Sequence, residues 1–195
     1  MPYNAACLIR GYAALMKLNN IHKRKPPVRI GISSCLLGEK VRYDGEDKKN
    51  AYIIEQLSLR FELIPYCPEV AVGMGVPRPP IQLVDCHGEL RALGIADPSM
   101  DMTRALREYG KKTAKEIAAL SGYIFKRNSP SCGTTDVKVL VENNEFELRG
   151  QGLFAAEIMH HLPDLPVIDE LQFMDETLRR QFCKNVNDYY QTYHQ

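Results

Sequence analysis

Three short apolar segments each run into a cysteine set among turn-forming residues: VRIGISSC (28–35), FELIPYC (61–67) and YIFKRNSPSC (123–132). Brief β-branched and aromatic runs bounded by Ser, Pro, Gly and Asn read as buried strands. Between them the apolar spacing changes to that of a helix. Ile53, Ile54 and Leu57 share one side of 51–59, and Met102, Ala105, Leu106, Tyr109, Thr113, Ile117 and Leu120 fall on one face of 101–120. Strands alternating with helices predict an α/β fold, with a single mostly parallel sheet flanked by helices in the Rossmann-like manner. Parallel neighbours would release Cys35, Cys67 and Cys132 on one edge of that sheet. Open α/β folds bind ligands there, outside the carboxyl ends of the strands.

The remaining segments fit this frame. Segments 81–84 and 89–93 flank Asp85-Cys86-His87-Gly88 as a hairpin, and 137–141 and 145–148, joined by Asn143-Asn144, form another. Both are expected as small additions to the sheet. Asp97-Pro98-Ser99 offers a helix start, and VAVGMGVPRPP (70–80) is a shaped loop rather than an element. A helix over 152–161, a last strand over 166–169 and an amphipathic helix over 175–190 complete the chain. Ahead of the first strand, HKRKPP (22–27) reads as a solvated basic leader closed by a proline pair.

Composition narrows the partners. With 45% hydrophobic and 25% charged residues and a formal net charge of +1, the 195-residue chain has no global charge that favours nucleic acid or a membrane surface. No apolar run approaches the roughly 18 residues of a membrane helix. The first 16 residues lack the basic start and apolar block of a signal peptide, so a cytoplasmic location is the expectation. None of the six cysteines forms a CxxC pair, which removes zinc-ribbon and ferredoxin-type spacing.

Three thiols converging beside Ser, Pro and Gly leave three chemistries open. Soft sulfur ligands favour an iron–sulfur cluster, zinc or Cu(I). Buried cysteines otherwise act as small apolar residues, and a thiol of lowered pKa acts as a nucleophile or redox centre. A cluster bound by only three cysteines leaves one iron free to act as a Lewis acid. A phosphatase-type cradle is excluded, because Arg42 stands too far beyond Cys35 in sequence.

SSCLLG (33–38) with VRYDG (41–45), CPEVAVGMGVPRPP (67–80), KRNSPSCG (126–133) and GQGLFAAEI (150–158), in this order, resemble the bacterial thiouracil desulfurase family over about residues 28–170. The resemblance implies a [4Fe–4S] cluster held by Cys35, Cys67 and Cys132, with an open iron that takes the sulfur of a thiolated pyrimidine. Hydrolytic C–S cleavage then gives the oxo base and hydrosulfide. The family's catalytic pair falls on Glu69 and Ser129. A carboxylate near a cluster ligand can activate water, and a hydroxyl near another can relay a proton to a ring nitrogen. Ser34, Asp44 and Ser131 are the expected substrate contacts.

Blander roles stand beside these. Glu69 also suits a helix start, Ser129 and Asp44 suit turns that bond their own backbone, and Arg78 suits a pin for its proline-rich loop or an anion contact. Cys86-His87 reads as a structural pair, Cys7 and Cys183 fall outside the ligand set, and His160-His161 suit a helix end. The expected substrate is a free thiouracil-type base or nucleotide. Thiouridine in transfer RNA, engaged by the basic run at 22–25, is the alternative, and a non-catalytic three-thiolate metal-binding or sensing module is the other. DETLRRQFCKNVNDYY (175–190) resembles the start of a second domain of larger relatives tied to transfer RNA, and this favours the small substrate. The expected organisation is a leader (1–27, with Met16 as an alternative start), a desulfurase-like domain (28–170) and a C-terminal helix (171–195). Nothing in the sequence specifies an oligomeric state.

Overall fold

The structure, a computed structural model, describes residues 27–194. Cys7, Met16 and the basic run at 22–25 lie outside the described residues. The chain runs β1 (Arg29–Ser33), α1 (Ala51–Leu57), β2 (Glu62–Tyr66), α2 (Pro68–Ala71), β3 (Ile81–Cys86), β4 (Glu89–Gly94), α3 (Thr103–Glu116), β5 (Gly122–Phe125), β6 (Val137–Leu140), β7 (Phe146–Gly150), α4 (Leu153–His161), β8 (Val167–Asp169) and α5 (Glu176–Tyr193).

One sheet is entirely parallel, in the order β2-β1-β5-β8. The chain leaves β1 for β2 on one side and returns to β5 on the other, so the order reverses at β1 and opens a crevice at its carboxyl end. Both faces are buried, as parallel strands require. Ile30, Ile32 and Ile124 pack with Ile53 and Leu57 of α1 and with Phe182 and Val186 of α5. Tyr123 and Phe125 project to the opposite face, against Phe154 and Ile158 of α4 and the end of α3. Gly31 is a steric requirement here, because a Cβ on it would lie 2.5 Å from Cδ2 of Tyr123.

The two hairpins do more than decorate this sheet. Parallel pairing of β3 with β6 joins them into a second, mixed sheet of order β4-β3-β6-β7. Its inner residues Ile81, Leu83, Ala92, Val137 and Val139 pack under Leu106 of α3 and Leu153 of α4. An isolated hairpin does not bury an apolar face, and this is the physical reason for the union. The β3–β4 turn is tighter than the four residues expected: His87 and Gly88 alone form it, both left-handed, with φ 56° and 88°. Asp97 does not start a helix. Its carboxylate accepts from the Ser99 amide (3.0 Å), while Asp101 accepts from the amide of Thr103, where α3 begins (2.9 Å). Among the described residues no helix is long and apolar enough to cross a membrane.

Candidate active site

The carboxyl ends of β1, β2 and β5 open onto a cavity of about 420 Å³, and Cys35, Cys67 and Cys132 all line it. Cys35 sits in the 3₁₀ turn Ser34–Leu37 directly after β1, Cys67 between β2 and α2, and Cys132 in the loop after β5. The in-register pairings Ser33↔Tyr66 and Ile32↔Ile124 bring the three strand ends to one level. All three are free thiols.

Burial pushes the Cys35 thiol up to about 11, against the pull of the Lys126 ammonium. Burial also raises Cys67, partly offset by the Val70 amide. Cys132 lies well above the ordinary thiol range, through burial first and then through the Glu69 carboxylate and the other two sulfurs. A nucleophilic or redox cysteine needs a depressed pKa. These three run the other way, so they are inert thiols until a metal displaces their protons. Among the described residues no group of three or more His, Cys, Asp or Glu is gathered to hold a single metal ion. The Tyr123 hydroxyl, raised well above its ordinary range by burial first and then by Cys132, has no hydrogen-bond partner among the described residues.

The loop that carries Cys132 is fixed along its length. The Lys126 amide donates to Ser33 Oγ (2.9 Å), the Lys126 ammonium pairs with Glu170, and the Arg127 amide donates to Glu170 (2.6 Å). Asn128 takes a left-handed conformation, φ 57°. Ser129 Oγ accepts from the amides of Ser131 (3.2 Å) and Cys132 (3.0 Å). The first amides of α4 then donate to this loop's carbonyls: Leu153 to Pro130 (3.0 Å), and Phe154 and Ala155 to Ser131 (3.1 Å each). A helix start leaves such amides open, and here the cysteine loop takes them. Gly152 permits the approach, since a Cβ there would lie 2.4 Å from the Ser131 carbonyl carbon.

Glu69, on α2, reaches the same cavity. Its Oε2 receives Arg78 Nη2 (2.6 Å) and Nε (2.8 Å), and its Oε1 receives the Ser131 hydroxyl (2.8 Å). Arg78 Nη1 donates to the carbonyls of Val41 and Gly75, 2.9 Å each. Ser129 lines the cavity, and among the described residues its own hydroxyl proton has no acceptor.

The expected substrate contacts separate. Ser34 is buried and lines the cavity. Ser131 is fully buried, does not line the cavity and holds Glu69 instead. Asp44 is exposed off the cavity wall, where its hydrogen bond from Arg42 (3.1 Å) holds its carboxyl below the usual range. Cys86 and Cys183 lie away from the cavity. Tyr43, Tyr66, Lys126 and Ile95 are among the further residues of the lining and were not expected there. Tyr43 and Lys126 stand inside the VRYDG and KRNSPSCG stretches, whereas Ile95 has no sequence signal and arrives from the end of β4.

Similarity to known proteins extends over most of the chain. A family model described as 2-thiouracil desulfurase matches residues 30–170, a span that holds all three cysteine loops. The uncharacterized protein YbbK of Bacillus subtilis (strain 168) is 34% identical over 137 residues, covering 65% of this chain and 87% of that protein. A solved structure described as the [4Fe-4S]-dependent thiouracil desulfidase TudS is similar with a TM-score of 0.62 and 28% identity, over 79% of this chain and 98% of that one. With the family model covering both the strand ends and the cavity, the chain belongs to the 2-thiouracil desulfurase family.

Proposed function

We propose that the protein replaces the sulfur of a thiouracil-type base or nucleotide with oxygen and releases hydrosulfide, and that Cys35, Cys67 and Cys132 hold a [4Fe–4S] cluster for this purpose. The observation that carries the reading is the convergence of three thiols from three adjacent parallel strand ends on a cavity that also holds Glu69 and Ser129. The donor set fits a cluster. Thiolates are its usual ligands, each on a separate iron, so they need not crowd around one ion as zinc ligands do. Donors beside cluster sulfurs set the potential, and the open Tyr123 hydroxyl suits that role. Bound there, the cluster would supply a soft Lewis acid at the substrate sulfur and draw electron density from the ring carbon.

The protein's own groups do the proton work. Two nitrogens of Arg78 occupy Oε2 of Glu69, while Oε1 accepts one hydrogen bond, from Ser131, so Oε1 is the atom with room for a proton. As water adds to the carbon that bears sulfur, Oε1 takes a proton from it. The Ser129 hydroxyl donates to the ring nitrogen that the thiolate form of the substrate leaves without a proton, and regains a proton from the newly added hydroxyl as the C=O bond forms. Meanwhile Oε1 passes its proton to the departing sulfur, which leaves as hydrosulfide. Water enters and sulfur leaves at the same oxidation level, so no electron donor is needed. The side chains of Tyr43, Tyr66 and Ile95 give the flat ring apolar walls, and the cavity volume is of the size that small ligands occupy.

Glu69→Ala, loaded anaerobically, tests the assignment. Iron content is expected to stay unchanged while uracil and hydrosulfide production from 2-thiouracil falls about 100-fold or more. Unchanged hydrosulfide release would remove Glu69 from the mechanism.

A further inference from the structure

Arg78 is the most heavily engaged side chain around the cavity. Its side chain is 3% exposed, and its guanidinium contacts three separate segments. Nε and Nη2 close on a single oxygen of Glu69, and Nη1 divides between the carbonyls of Val41, beyond β1, and Gly75, beyond α2. The Val41 carbonyl also receives the Cys67 thiol at 3.7 Å. The Arg78 amide donates to the Tyr43 carbonyl (2.9 Å), which fixes the backbone of that cavity-lining tyrosine. One arginine therefore ties the carboxylate, a thiol-bearing turn and an aromatic wall into one unit.

We infer that Arg78 is a positioning residue for the desulfuration, acting through Glu69. The inference rests on the reading of Glu69 as the proton acceptor. By holding Oε2 with two nitrogens, Arg78 removes rotation of the carboxylate and leaves Oε1 turned to Ser131 and to water in the cavity. Ser131, fully buried, completes the hold from the opposite side. A lysine keeps the charge, but its single ammonium does not reproduce the two contacts to Oε2 together with the two carbonyl contacts. Catalytic groups need their supporting contacts to hold them within about 0.5 Å of the productive geometry, and this is what the guanidinium provides.

The test is a double-mutant cycle on anaerobically loaded protein with 2-thiouracil, reading kcat, KM and iron content. Arg78→Ala is expected to lower kcat about 100-fold with KM within about threefold, and Arg78→Lys to recover part of that loss, with iron unchanged in both. On a Glu69→Ala background, Arg78→Ala is expected to change kcat by less than about twofold, because the group through which it acts is already gone. Equal fold losses on both backgrounds overturn the inference by giving Arg78 a scaffold role, and so does loss of iron from Arg78→Lys. A raised KM at unchanged kcat overturns it too, by assigning Arg78 to substrate binding. Full turnover in Glu69→Ala sinks the reading of Glu69 itself, a result distinct from all of these. Where Arg78→Ala does not fold, Arg78→Lys closes the same cycle with the same criteria.

Discussion

Cys35 keeps its proton to about pH 11 in the metal-free protein because burial outweighs the neighbouring ammonium of Lys126. The sign has a direct consequence. A thiol raised from 9.0 to about 11 carries about 100-fold less thiolate at any pH below 9 than an ordinary one. Alkylation of Cys35 in metal-free protein, followed by mass spectrometry of the peptide, should therefore rise about tenfold per pH unit through pH 10. A plateau below pH 8 would instead mark a nucleophilic thiol. The same shift favours the folded state below pH 9, and that contribution is lost as pH climbs towards 11. At this scale the sequence displayed the three cysteines well, because each stands at the end of an apolar run. It did not display what holds Glu69. Ser131 lies 62 positions from that carboxylate, and it is completely buried where the first amides of α4 reach its carbonyl.

The cysteine loop over 126–133 and helix α4 form one mechanical unit, since the loop's carbonyls accept the first amides of the helix. Gly152→Ala drives a Cβ into the backbone of Ser131 and Cys132, at 2.4–2.6 Å, and backbone has no rotamer by which to yield. Overpacking of this kind should cost about 1–3 kcal/mol in urea unfolding and lower the iron content of loaded protein. Unchanged stability and iron would disconnect helix from loop. The loop's other end is held by Glu170, which accepts from the Arg127 amide and the Lys126 ammonium. Glu170→Ala should cost about 1–3 kcal/mol by leaving the Arg127 amide unpaired and the half-buried Lys126 ammonium with only the Arg127 carbonyl. Periodicity located the strands and the longer helices, and the GQGLFAAEI stretch is explained by this seam. Union of the two hairpins was hidden, because β3 and β6 pair across a long separation and neither strand carries a local sign of its partner.

For the molecule as a whole, the reversal of strand order at β1 does the decisive work. It sets three loops from distant parts of the sequence around one cavity without any of them crossing the sheet. Alternating elements implied parallel strands with the three cysteines on one edge, whereas the strand order itself, and the wall supplied by Ile81 of β3 with Pro80 and Ile95 just outside β3 and β4, were not foreseen. A small-molecule substrate predicts that removing residues 1–25 leaves turnover of thiouracil and its nucleotide unchanged, with thiolated transfer RNA turned over by neither form. Loss of activity on trimming, or turnover of transfer RNA by the full chain, would redirect the substrate assignment. The proposed cluster itself is tested most directly by iron and acid-labile sulfide content after strictly anaerobic purification. About four of each per chain are predicted, lost when Cys35, Cys67 or Cys132 is replaced by serine. A full complement in all three variants, or tightly held zinc with no hydrosulfide released from thiouracil, would contradict it.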